Sequence, residues 1–152
     1  MSKIFDIDWR KMTHEEKWTW VFLSTAIIAF IVYCIWLVSQ SSSTPLTEIA
    51  YVSPMLLAIG SAIISTIFGE ILIAATAPKG KKRDARDQEI IKKAEHSGQF
   101  LVTIGGMAVV IMAMLKLNHF WIAHTMYLAF VGSAIITSVV KIIYYKKGFY
   151  PC

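Results

Sequence analysis

Four stretches of this chain, residues 18–38, 54–77, 97–115 and 120–140, run almost free of charge, and only Glu70 interrupts them. At ~1.5 Å rise per residue, about 20 apolar residues cover the ~30 Å hydrocarbon layer of a bilayer. Each stretch is therefore long enough for one transmembrane helix. Composition agrees: 56% of the 152 residues are hydrophobic and 16% charged, with a mean hydropathy of +0.57. A soluble domain of this size could not hide that much apolar surface in one core. The expected fold is an all-α membrane protein, one four-helix transmembrane domain over residues 1–152.

Local signals mark where the spans begin and end. Thr13 and Glu16 have the spacing of a capping box ahead of the first span. A cleaved signal peptide is the competing reading, but its apolar core is shorter, ~7–15 residues, and Val38-Ser39-Gln40-Ser41 offers no convincing cleavage site. Residues 39–47 are polar, contain Pro45 and carry no Lys or Arg, as in an exposed loop. Ser53-Pro54 resembles a cap followed by proline at the first helical position, and Pro78 with Gly80 stops the second span. Only Lys116, Leu117, Asn118 and His119 separate the last two spans, which predicts a tight antiparallel hairpin.

The charges give the orientation. Of the 15 Lys and Arg residues, 14 fall before the first span, between the second and third, or after the fourth; only Lys116 falls on the other side. The positive-inside rule then places both termini and the middle segment in the cytoplasm.

That middle segment, residues 79–95, is the most polar part of the chain. Arg83 with Asp87 and Glu89 with Lys93 are four apart, where opposite charges meet on one helix face. The third helix is therefore expected to begin in the cytoplasm, well short of the bilayer. A basic juxtamembrane cluster suits a protein partner or anionic lipid; a solvated helix extension with topogenic charges is the plainer alternative. The run Asp84-Ala85-Arg86-Asp87-Gln88-Glu89-Ile90 resembles the Asp-x-Arg-Asp-x-x-Ile signature of small, uncharacterised prokaryotic four-helix membrane proteins, grouped as a domain of unknown function. Their usual form has Glu where Ala85 stands. Phe120-Trp121-Ile122-Ala123 and Tyr145-Lys146-Lys147-Gly148 are also similar, so the resemblance covers residues 80–148. It implies the cytoplasmic membrane of a bacterium or archaeon and no particular chemistry.

Glu70 is the sharpest candidate for chemistry. Counted from Pro54 it lies about 24 Å along its helix, and a carboxylate inside a bilayer has to face protein, a partner or water. It is a candidate proton or cation site. The alternative is that it reaches the headgroups, or pairs with Lys141 or a loop lysine. The histidines do not assemble: His14 and His96 fall near one surface, His119 and His124 near the other, and the latter two stand roughly 140° apart around a helix. No metal and no cofactor are expected.

Small residues recur every four along the second span (Ser61, Ser65, Gly69) and along the fourth (Thr125, Ala129, Ser133, Thr137), and Gly105-Gly106 sits mid-way along the third. Such stripes let helices approach closely, within one bundle or across a homo-oligomer. Trp18, Trp20, Trp36, Trp121, Tyr51, Tyr144 and Tyr145 lie near span ends, where amphipathic rings anchor at the interface. Cys34 and Cys152 fall on opposite sides and cannot bridge within one chain. No catalytic triad or phosphate-binding loop is present, and the basic segment lacks the aromatics of a nucleic-acid binder. The leading expectation is a non-enzymatic accessory protein that, besides the lipid bilayer, contacts a membrane or cytoplasmic partner through Arg83, Asp84, Arg86, Asp87 and Glu89. The alternative is a small oligomeric transporter or channel using Glu70.

Overall fold

The computed structural model describes residues 14–76 and 85–147, and every regular element among them is helical. The elements are α1 (His14–Ser41), a 3₁₀ turn (Leu46–Glu48), α2 (Val52–Thr76), α3 (Ala85–Met114) and α4 (His119–Lys147). All four α-helices are long and apolar enough to cross a membrane. Thr13 lies outside the described residues.

The helix ends follow from backbone bookkeeping. α2 begins one residue before Ser53, because the Tyr51 carbonyl already accepts from the Met55 N–H at 2.9 Å. Pro54 consequently sits in the first turn, where a missing N–H leaves no bond unmade. α3 closes with the Leu117 N–H on the Met112 carbonyl (3.1 Å) and the Lys116 N–H on the Ala113 carbonyl (3.0 Å). This is a Schellman motif. Its left-handed position is filled by Lys116, at φ 53°, rather than by glycine. Asn118 then caps α4, its Oδ1 accepting from the Phe120 N–H at 2.9 Å.

The helices form an open row rather than a closed bundle. α3 packs on α4, α4 on α1 and α1 on α2, with neighbours antiparallel, so α2 and α3 are the outer members. Among the described residues of α2 only Met55 is buried. Its half-covered positions Ala58, Ala62, Thr66, Gly69 and Ile73 make the stripe that lies on α1, while Leu56, Ile63, Ile67 and Ile71 stay exposed. In lipid such side chains are already solvated, so packing of small residues, not exclusion from water, draws the helices together.

Small residues set the α3–α4 seam. A Cβ added at Gly105 would collide with that of Ala129, and one at Gly98 would collide with Thr137 Oγ1 and come within 2.9 Å of Ser133 Oγ. Around Gly106 there is open space. At the far end of the row, Tyr33, Met55 and Tyr127 form a buried cluster ringed by Phe30, Trp36, Tyr51 and Ala123.

Candidate functional site

The charged end of the row gathers the first turns of α1 and α3 with the last turns of α4. The register that sets Gly105 on Ala129 and Gly98 on Thr137 carries Ala94 and Ile90 to the level of Ile142 and Tyr145. Ile90 and Ala94 are 0% exposed. The charged beginning of α3 is thus a helix packed along its length. Tyr145, its hydroxyl buried, lies beside Asp87, Glu15 and Glu16, and Lys146 Nζ stands 5.9 Å above the Trp20 ring. Glu89, Lys92, Lys93, Glu95 and His96 face outward. Of the partner residues expected from the sequence, Glu89 is exposed and Asp87 half-buried; Arg86 belongs to α3. Arg83 and Asp84 lie outside the described residues.

Because α1 and α3 both flank α4, a cleft of about 350 Å³ opens over α4 between them. Its floor is the α4 face Phe130, Ser133, Ala134, Thr137, Ser138 and Lys141, positions three and four apart. Trp18 and Phe22 wall it from α1 and Glu95 from α3. Two of its hydroxyls are used locally: Thr19 donates to the Glu15 carbonyl at 2.8 Å and Ser138 to the Ala134 carbonyl at 2.8 Å. Lys141 reaches the Glu95 carboxylate at 4.0 Å, the outer limit of an ion pair. The lysine side chain is 15% exposed and the glutamate 61%. A covered cation thus faces a solvated partner.

Glu70 is placed by its neighbour. A Cβ at Gly69 would meet Val21 and Trp18, so Glu70 lies level with the first turns of α1 and with Lys141 across the row. It points outward from α2. Lys141 pairs with Glu95 instead. Ser61 and Ser65 stand beside the contact stripe of α2, not in it, and line a groove of about 630 Å³ between α1 and α2 with Thr25, Ala29 and Trp36.

At the opposite end, His124 is held by two bonds. Its Nδ1 lies 2.7 Å from the Phe120 carbonyl, which can only accept, so Nδ1 carries a proton. Its Nε2 lies 2.8 Å from the Tyr33 hydroxyl. The ring stacks on Phe120 at 3.9 Å and meets Tyr51 edge-on at 5.2 Å. Among the described residues no group of three His, Cys, Asp or Glu side chains could hold a metal ion.

Comparison with protein-family models, curated proteins and solved structures gives no match. Three features of the structure are not evident from the sequence. Gly98 is a lone glycine outside every stripe, the bond between Tyr33 and His124 spans 91 positions, and Lys141, a candidate partner of Glu70 by sequence, faces Glu95. The spacing of Thr137 and Lys141, one turn apart with Ser133 below them, is the signal that could have drawn the cleft from α4 alone.

Proposed function

We propose that this chain is a non-enzymatic accessory protein of a prokaryotic cytoplasmic membrane, which holds a protein partner with the charged outer face of early α3. The observation that carries the reading is the complete burial of Ile90 and Ala94. These residues fix the segment on α4, so docking a partner costs little ordering entropy. The positive charges at that end support a cytoplasmic location for it.

The test is purification of the tagged chain from its own host in nanodiscs, with co-purifying proteins identified by mass spectrometry. The expected outcome is a stoichiometric partner whose recovery falls at least ~10-fold when the exposed Glu89 and Lys92 are reversed (Glu89→Lys with Lys92→Glu), since like charges set against a partner disfavour a complex by a kcal/mol or more. Equal recovery by that variant overturns the reading. A partner-free homo-oligomer favours the other reading, a proton- or cation-coupled transporter. That reading draws on the outward position of Glu70 on α2, where a second copy would have to cover it.

A further inference from the structure

The geometry points to the cleft over α4 as a binding site for an anionic phospholipid, with its phosphate on Lys141 and one acyl chain running down toward Phe130. The inference needs only the four membrane-spanning helices and stands independently of the partner reading.

Depth comes first. Phe120, buried at the other end of α4, lies 21 positions from Lys141, about 31 Å along the helix. That is one hydrocarbon thickness. With the aromatic residues Phe120 and Trp121 at one interface, Lys141 sits at the other, where lipid phosphates lie. Trp18, an interfacial ring, borders the same cleft. From Lys141 the floor descends through Thr137 and Ser133 to Phe130, about 16 Å deeper at the helical rise. Polarity falls in the same direction along α4: a cation at Lys141, then the hydroxyls of Thr137 and Ser133, then the ring of Phe130. This gradient matches a phospholipid read from headgroup to tail.

Charge comes second. Lys141 is mostly covered, yet its carboxylate partner stands at 4.0 Å and is itself mostly in water. Protein alone leaves that cation poorly neutralised, and basic pockets between transmembrane helices are suited to lipid phosphates. Glu95 is the group that opposes an anion in the cleft. Its exposed side chain has room to turn toward water, and a phosphate would then replace it on the ammonium.

The competition between Glu95 and phosphate supplies the experiment. The delipidated full chain in detergent is titrated with phosphatidylglycerol and, separately, with phosphatidylcholine of the same acyl chains. Bound lipid is counted by native mass spectrometry. Phosphatidylglycerol is expected to bind saturably and at least about fivefold tighter than phosphatidylcholine, the preference one interfacial cation provides. Lys141→Gln should remove the preference and Glu95→Gln should strengthen it. A structural role for the ion pair predicts the opposite for Glu95→Gln, which would then leave binding unchanged or weaken it. Equal affinity for the two lipids, or an undiminished preference in Lys141→Gln, overturns the proposal. So does full competition by inorganic phosphate at equal concentration, which would make the site one for a soluble anion. If Lys141→Gln does not fold, Glu95→Gln decides alone.

Discussion

Adjacent glycines in α3 have opposite surroundings because consecutive residues stand about 100° apart on a helix. Gly105 meets Ala129 and Gly106 meets nothing. Gly105→Ala is expected to force α3 and α4 apart at a cost of about 1–3 kcal/mol, the range for overpacked interiors. Gly106→Ala should be neutral or stabilise the helix by roughly 0.5–1 kcal/mol, since it removes backbone freedom without a collision. Unfolding both variants in mixed micelles, with tryptophan fluorescence as the readout, separates them; equal loss at both positions would rule out the α3–α4 register. The sequence marks the pair as a close crossing but not which glycine makes it, because nothing in the spacing says which side of the helix meets its neighbour. Likewise Ser61 and Ser65 share the spacing of Gly69, yet the stripe that meets α1 runs through Ala58, Ala62 and Thr66. Around a lipid-facing helix apolar residues occur on every side, so periodicity does not name the contact face.

Each helix is easier to read. The four spans follow from length and absence of charge, properties that need no knowledge of neighbours. The helical start of α3 follows from oppositely charged residues four apart. The tight hairpin follows from a connection too short for anything else. How that connection turns is not legible: a chain reversal of this kind is expected to use glycine, and Lys116 holds the left-handed position instead. The cost of such a conformation for a side-chain-bearing residue is about 1–2 kcal/mol. Lys116→Gly should recover around 1 kcal/mol of that, seen as a higher denaturant midpoint in the same micelles. A lower midpoint would show that the Lys116 side chain contributes more than its backbone costs.

The lateral order of the molecule, α2 beside α1 beside α4 beside α3, has no counterpart in the hydropathy pattern, since lipid and helix are equally apolar neighbours. It makes the protein two hairpins joined mainly along the seam between α1 and α4, with the 3₁₀ turn and Tyr51 set against the start of α4 at one end. The seam is well furnished: Tyr33 bonds His124 and packs edge-on against Tyr127 at one end, and Trp20 lies under Lys146 at the other. Residues 1–80 and 81–152, expressed as separate chains in one cell, are expected to co-purify. Tyr33→Ala should weaken their association about tenfold, the loss of one hydrogen bond with its ring contacts. Independent migration of the two wild-type halves would mean that the covalent connection, not the seam, holds the hairpins together.

The same seam sets a schedule for biosynthesis. α3 and α4 can pair as soon as they emerge, because only four residues divide them. α1 must wait in the membrane until α4 begins to emerge, 78 positions after α1 ends (from Ser41 to His119). During that interval the faces carrying Tyr33, Thr19 and Trp20 are open to the translocon, to lipid or to a membrane chaperone. Tyr33 and Thr19 are among the most deeply buried residues of the finished protein. The fourth helix to arrive is thus the one that closes the interior.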